Sequence, residues 1–204
     1  MNPIKKIEEE KLFAVLRNQY SEATEEVINA LSRGGINIVE IIIDSPEMVN
    51  VLEKITKQEN RPLIMAGGII TQRQAQIAIK AGADVIVSPV FQMNLVRICQ
   101  TNGVPLIMTA TTPNEAYSAW KARTPLIKIS PVNPMGGAEY IEDILRPMNF
   151  LNIIASGSIK IDDIQAYLKA GAKAVGIGRA LYKNASYEEI TQRARIACER
   201  AKGI

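Results

Sequence analysis

Short apolar segments alternate with longer amphipathic segments along the whole chain. The apolar segments predict eight strands, at Leu12–Arg17, Ile38–Ile43, Leu63–Ala66, Val85–Val87, Pro105–Thr109, Leu126–Ile129, Asn152–Ala155 and Ala174–Ile177. Helical periodicity fills the stretches between them, beginning near Ser21–Arg33 and ending with Tyr187–Ala201. Near-continuous apolar strands joined by helices are typical of a parallel sheet that is covered on both faces.

The order of these segments narrows the fold class. A βα repeat over a whole chain gives either a doubly wound sheet or a closed barrel. Eight units without an interruption favour the closed form, so we predict an α/β fold of the (β/α)₈ TIM-barrel type. No Pro/Ser-rich linker or low-complexity tract divides the chain, and residues 1–204 are therefore predicted to form a single domain.

Composition excludes several functional classes. The net charge of +3 is small, the basic residues are scattered and aromatic residues make up 5%, so we expect no nucleic-acid partner. Neither a secretory signal nor a membrane-length apolar run is recognisable, which predicts a cytoplasmic protein without a membrane partner. The two cysteines are far apart and histidine is absent, so no metal site or cofactor is predicted.

Two charged residues lie within apolar strands. In the second strand, Glu40 alternates with residues that would face the helices, and Lys128 has the same position in the sixth strand. Because alternate residues of a barrel strand point inward, both side chains are predicted to enter the barrel.

An amine in an apolar setting favours its neutral, nucleophilic form, and a neighbouring carboxylate can then move protons. That combination predicts Schiff-base aldolase chemistry, with Lys128 as the nucleophile and Glu40 as the acid–base group. A buried structural ion pair joining the two strands is the alternative interpretation of the same pattern.

Further candidate residues follow the strand ends. Arg17 ends the first strand, where its guanidinium would either bind a substrate carboxylate or remain a surface arginine. Thr109 and Thr111 place hydroxyls at the end of the fifth strand, where they would meet a substrate or begin the next helix.

The last two strands end in small-residue turns. The segments read ASGSI at 155–159 and AVGIGR at 174–179. Backbone N–H groups after these strands of a barrel often hold a phosphate, although tight turns also use glycine for conformational reasons alone. The candidate phosphate ligands are Ser156, Gly157, Ser158, Gly178 and Arg179.

Elsewhere, Tyr117 and Trp120 are interpreted as helix-packing residues rather than as part of a cofactor site.

Taken together, these segments resemble the 2-keto-3-deoxy-6-phosphogluconate / 4-hydroxy-2-oxoglutarate aldolase family. The similarity extends from about Leu12 to Tyr182. It is carried by AVLRN at 14–18, GGINIVEI at 34–41, SP at 45–46, AGADVIVSP at 81–89, TTPNEA at 111–116, LIKISP at 126–131, YI at 140–141 and AGAKAVGIGRAL at 170–181.

The resemblance implies a homotrimeric barrel that cleaves a 2-keto acid to pyruvate and an aldehyde. It implies that Lys128 forms the Schiff base, that Glu40 is the acid–base residue, and that Arg17 and Pro131 belong to the substrate site. It also places the substrate phosphate at the SGSI and GIGR segments.

Several positions depart from the family pattern. Ile69 stands where the family has a threonine that helps to hold the pyruvyl carboxylate, Ile42 replaces the threonine after the glutamate, and Asp44 replaces an arginine of some members. Arg179 replaces a serine. These changes predict a more apolar pyruvate end and leave two other functions open: a different phosphate-binding barrel isomerase or synthase, and a non-catalytic barrel that serves ligand binding or assembly.

Overall fold

Eight parallel strands close into a barrel in the order of the chain. The protein is described here by a computed structural model, which covers residues 2–17 and 21–203. Each strand pairs with the next, and the eighth pairs with the first. The strands are β1 (Leu12–Leu16), β2 (Ile38–Ile42), β3 (Leu63–Gly67), β4 (Val85–Ser88), β5 (Leu106–Ala110), β6 (Ile127–Ile129), β7 (Ile153–Ser156) and β8 (Ala174–Ile177). The predicted TIM barrel is confirmed, and each strand boundary lies within one residue of its prediction.

Helices surround this barrel. They are α1 (Pro3–Glu10), α2 (Ser21–Arg33), α3 (Pro46–Thr56), α4 (Gln72–Lys80), α5 (Met93–Thr101), α6 (Pro113–Lys121), α7 (Ala138–Leu145), α8 (Ile164–Lys169), α9 (Arg179–Tyr182) and α10 (Tyr187–Lys202). Short 3-10 turns precede α7 and α8. Within the described ranges, every helix is too short or too polar to cross a lipid bilayer.

Alternate residues of each strand separate into two apolar clusters. The larger cluster fills the space between strands and helices, and it includes Val39, Ile41, Ile127 and Ile129. The smaller cluster occupies the barrel interior, with Phe13, Ile38, Leu63, Met65, Val85, Val87, Ile107, Leu126, Ile154 and Ala174. This separation confirms the predicted alternation, because the neighbours of Glu40 and Lys128 face the helices.

The first helix closes the barrel at the N-terminal ends of the strands. Ile7 of α1 is fully buried and belongs to the interior cluster, where Ile4 also packs. The helix contacts β1 and β8, and Asn2 caps it by accepting hydrogen bonds from the N–H groups of Ile4 and Lys5. The barrel interior is therefore sealed at this end, and the open end lies where the strands finish.

Candidate active site

Glu40 and Lys128 meet inside the barrel. The Lys128 ammonium donates to both carboxylate oxygens of Glu40, over 2.8 Å to Oε1 and 2.6 Å to Oε2. The Lys128 side chain is 8% exposed and that of Glu40 is 1% exposed. Because β2 and β6 are four strands apart in a barrel of eight, the pair spans the barrel from one wall to the other.

The pair lies above the apolar layers that fill the lower barrel. In the strand register, Glu40 is opposite Val15 and Met65, and Lys128 is opposite Thr109 and Ile154. Thr109 shares the inward face of β5 with Ile107 and is partly exposed. A hydroxyl therefore lies beside the lysine on the side that faces the open end.

Gly67, which the sequence reasoning did not single out, leaves room for the Glu40 carboxylate. A Cβ at this position would lie 2.5 Å from Glu40 Oε1 and 2.7 Å from Cδ1 of Ile42. Its φ is not positive, so close approach and not backbone conformation requires glycine. The signal in the sequence was a glycine directly after the predicted third strand. In the structure this glycine pairs in register with Ile42, two residues after Glu40.

We expect Gly67→Ala to reduce turnover by about 10²-fold, because the added methyl displaces the carboxylate from the lysine and small misplacements of catalytic groups are costly. The variant Gly67→Ala/Ile42→Val relieves the second clash but not the first. Urea unfolding should therefore show recovered stability in the double variant, while its turnover stays low. Full activity in Gly67→Ala would contradict the role assigned to this contact.

The segment after Lys128 is held from the side of β5. The Thr111 hydroxyl donates to the Ser130 carbonyl over 3.3 Å, and the Tyr140 phenol donates to the Thr111 carbonyl over 2.6 Å. Glu115 accepts from the N–H of Thr111, over 2.8 Å. The predicted Thr111 is thus found beside the site, where its hydroxyl bonds to the segment that follows Lys128. Tyr140, which the sequence reasoning did not propose as a site residue, bonds to Thr111 in the loop after β5.

The same segment is held from the side of β7. A Cβ on Gly157 would lie 2.6 Å from Pro131 Cα and 3.2 Å from Ser130 Oγ, and the φ of Gly157 is +105°. The N–H of Val132 donates to the Ser156 carbonyl over 2.9 Å. Pro131 follows a cis peptide bond and is exposed. The structure therefore brings predicted Pro131 against predicted Gly157, and it adds Ser130, whose partly exposed side chain follows Lys128 on the inward face.

The candidate phosphate ligands lie on two neighbouring turns. Ser156 pairs with Gly176 in the β7–β8 register, so the turns after these strands are adjacent. Ser158 and Arg179 are exposed there, and Gly178 is partly exposed. The Ser156 side chain is an exception. It is buried in the barrel and donates to the Gly176 carbonyl over 3.3 Å, so it presents no hydroxyl at the turn.

Two of the positions that depart from the family pattern, Ile69 and Ile42, lie on different sides of the barrel wall. Ile69 is fully buried in the cluster between barrel and helices, so the predicted apolar contact with pyruvate is wrong for this residue. Ile42 does follow Glu40 inward and lies against Gly68, 3.2 Å from a Cβ placed there.

Arg17 is exposed at the end of β1, and its N–H donates to the Tyr182 hydroxyl over 3.4 Å. The adjoining residues Asn18–Tyr20 lie outside the described ranges.

Cysteine does not supply a reactive group. Both cysteines are free, and burial raises the pKa of Cys99 to about 11 and also raises that of Cys198. A thiol with a raised pKa is a poor nucleophile at neutral pH. Over the described part of the chain, no three acidic or thiol side chains cluster in a way that would hold a metal ion. The arrangement thus offers one amine, one carboxylate and several hydroxyls.

Comparisons with known proteins agree with this chemistry. The sequence profile of the KDPG and KHG aldolases matches residues 4–196. A curated relative from Rhizobium meliloti, named probable 2-dehydro-3-deoxy-6-phosphogalactonate aldolase, is 30% identical over 91% of this chain and 89% of its own. It is similar in sequence over nearly its whole length.

Solved structures share the architecture. KDPG aldolase from Legionella pneumophila, captured with pyruvate as a covalent carbinolamine intermediate, has a TM-score of 0.86 at 22% identity, covering 96% of this chain and 97% of its own. A cube-shaped cage designed by fusing symmetric oligomeric domains has a TM-score of 0.85 at 24% identity, covering 93% of this chain and 71% of its own. The protein is an aldolase, and hence a lyase, and it belongs to the KDPG and KHG aldolase family.

Proposed function

We propose that this aldolase cleaves a phosphorylated 2-keto acid with a 4-hydroxyl group, of the 2-keto-3-deoxy-6-phosphogluconate type, to pyruvate and an aldehyde. The observation that carries the proposal is the amine of Lys128 held against the carboxylate of Glu40 inside the barrel. No metal is needed for this chemistry, because the iminium itself withdraws electrons from the bond that breaks.

The Lys128–Glu40 contact prepares the nucleophile. Transfer of one proton along the 2.6 Å hydrogen bond leaves a neutral amine and a protonated carboxyl. The amine attacks the C2 carbonyl of the substrate, and the carboxyl returns the proton to the oxygen. Loss of water from this carbinolamine gives the iminium.

The same carboxylate serves the cleavage. The Glu40 carboxylate removes the proton of the C4 hydroxyl, the C3–C4 bond breaks, and its electron pair moves to the iminium to give an enamine and the free aldehyde. Glu40, once protonated, delivers a proton to C3 of the enamine. Hydrolysis of the resulting iminium releases pyruvate and regenerates the amine, so that one residue performs each proton transfer at the pyruvyl end.

Reductive trapping tests the covalent step. Incubation with pyruvate and borohydride is expected to attach a reduced pyruvyl group to the protein, and peptide mapping should place it on Lys128. Other lysines provide the internal control within the same digest. A modification distributed over surface lysines, or none, would contradict the Schiff-base mechanism and favour the isomerase, synthase or non-catalytic alternatives.

The phosphate assignment rests on the turns after β7 and β8, where Gly157, Ser158, Gly178 and Arg179 lie together at the open end. We expect Arg179→Ala to raise KM about tenfold for the phosphorylated substrate, because a charge-assisted contact is lost. The KM for 4-hydroxy-2-oxoglutarate, which lacks the phosphate, should not change. Arg195→Ala on the exposed face of α10 is the matched control. An equal effect on both substrates would contradict the assignment.

A homotrimer and a cytoplasmic location complete the proposal. Support for assembly comes from exposed apolar residues on consecutive segments around α4 and α5, namely Ile70, Ile77, Val90, Phe91 and Met93. The designed cage similar to this chain is built from symmetric oligomeric domains. Both cysteines are free thiols, as is usual for proteins of a reducing compartment.

Sedimentation tests the assembly. The wild-type chain is expected to sediment as a trimer and Ile77→Glu as a monomer, because a buried unpaired charge would be costly at the interface. Ile196→Glu, at a similarly exposed isoleucine on α10, is the control and should leave the trimer intact. Unchanged sedimentation of Ile77→Glu would place the interface elsewhere.

A further inference from the structure

Three exposed aromatic residues lie together at the closed end of the barrel. Tyr117 and Trp120 of α6 stack with their ring centroids 5.7 Å apart, and Trp120 contacts Phe150 at 4.6 Å. The three residues are 43%, 41% and 45% exposed. The sequence pattern predicts packing roles for Tyr117 and Trp120. They do pack, but on each other and in contact with solvent.

The rings of Trp120 and Phe150 border a cavity of about 450 Å³. Its wall is completed by the end of α6, the loops before β6 and β7, and the start of β6, with Lys121, Arg123, Thr124, Pro125, Ile127 and Asn152. Since these loops precede their strands, the cavity faces away from the open end that receives the substrate. Its volume is in the range of small-molecule sites.

The charged groups of this wall have one sign. Lys121 and Arg123 are exposed cations, and among the described residues no carboxylate belongs to the wall. The Lys121 ammonium lies 5.9 Å from the centroid of the Tyr117 ring, at the edge of the aromatic group. Asn152 is exposed and adds an amide that both donates and accepts hydrogen bonds. A second copy of this face would bring like charges together, which disfavours a symmetric contact. An anion with a flat apolar part satisfies all these groups.

We propose that this cavity binds a nucleoside phosphate. The heteroaromatic base lies against Trp120 and Phe150, the Asn152 amide bonds to a base edge, and the phosphate lies between Lys121 and Arg123. Stacking on aromatic rings supplies apolar contact, and the guanidinium and ammonium supply charge-assisted bonds to phosphate oxygens. The site is separate from the aldolase centre and does not depend on the proposed substrate.

Tryptophan fluorescence tests this proposal directly, because Trp120 is the one tryptophan of the sequence. Excitation at the red edge of indole absorption, where adenine does not absorb, avoids interference from the ligand. Titration with AMP is expected to quench the emission saturably, and added salt should weaken the binding. Adenosine and ribose 5-phosphate, which each lack one half of the ligand, should bind at least about tenfold more weakly.

Variants separate this site from non-specific quenching. Lys121→Glu/Arg123→Asn is expected to weaken AMP binding about tenfold, since it removes both cations, and asparagine suits the positive φ of residue 123. Phe150→Leu should weaken it as well. Lys80→Glu, at the corresponding last turn of α4, is the control and should have no effect. Equal quenching by adenosine and AMP, no saturable quenching, or an unchanged affinity in the double variant would each overturn the proposal.

Discussion

Replacing Lys128 with methionine is expected to reduce aldol cleavage by about 10⁴-fold or more and to abolish reductive trapping with pyruvate. The reason is that, in the proposed mechanism, the amine forms the bond on which every later step depends, and Lys128 is the one buried lysine among the described residues. Steady-state kinetics with a coupled assay for pyruvate provide the measurement. Lys173→Met, at an exposed lysine before β8 on the closed end, is the matched control and should retain wild-type turnover.

Loss of activity in Lys128→Met could also follow from unfolding, because the substitution leaves Glu40 buried without its partner. The variant Lys128→Met/Glu40→Leu removes both charges and is expected to be folded and equally inactive. Circular dichroism and thermal unfolding distinguish the two cases. Residual turnover above about 1% of wild type in the folded double variant would show that the chemistry does not pass through this amine.

The second large effect concerns stability. Glu40→Leu and Lys128→Met are each expected to lower the free energy of unfolding by about 3–5 kcal/mol, because each leaves one charge buried and unpaired. The double variant should recover most of that loss, since an apolar pair of similar volume avoids the desolvation cost of both ions. Urea unfolding at one fixed protomer concentration measures all three, because the proposed trimer would make stability depend on concentration.

Strongly non-additive losses are the signature of a direct contact between the two side chains. Thr109→Ala/Ile107→Val offers a comparison within one strand on the same inward face, for which single losses of a more ordinary size are expected. If the losses at Glu40 and Lys128 were simply additive, the two charges would not be paired in solution. The barrel would stand, but the proton-transfer step of the proposed mechanism would lose its basis.

The positions of Glu40 and Lys128 could be predicted because strand alternation leaves only two faces. Once Val39 and Ile127 are assigned to the helices, their neighbours must point inward. The number of strands followed from repetition alone. Both predictions depend on local periodicity, which a sequence shows directly.

Other features required three-dimensional contacts. Ser156 lies in a segment whose small residues are typical of a phosphate-binding turn. Its hydroxyl nevertheless points inward and bonds to the Gly176 carbonyl, which is 20 residues away in the chain. Ile69 occupies a motif position and yet turns into the helix layer. The first helix was not predicted, because its polar sequence conceals the two isoleucines, Ile4 and Ile7, that pack under the barrel. Local sequence periodicity does not identify any of these contacts.

The plug formed by Ile7 beneath the interior cluster has a kinetic consequence. Because this end is closed, reactants and products must pass through the open end, and in the proposed mechanism the pyruvyl fragment stays bonded to Lys128 after cleavage. We therefore expect the aldehyde, which is not bonded to the protein, to leave first and pyruvate to leave second. In the synthetic direction the order of binding is reversed, so pyruvate is expected to bind before the aldehyde. An excess of aldehyde is then expected to inhibit the free enzyme.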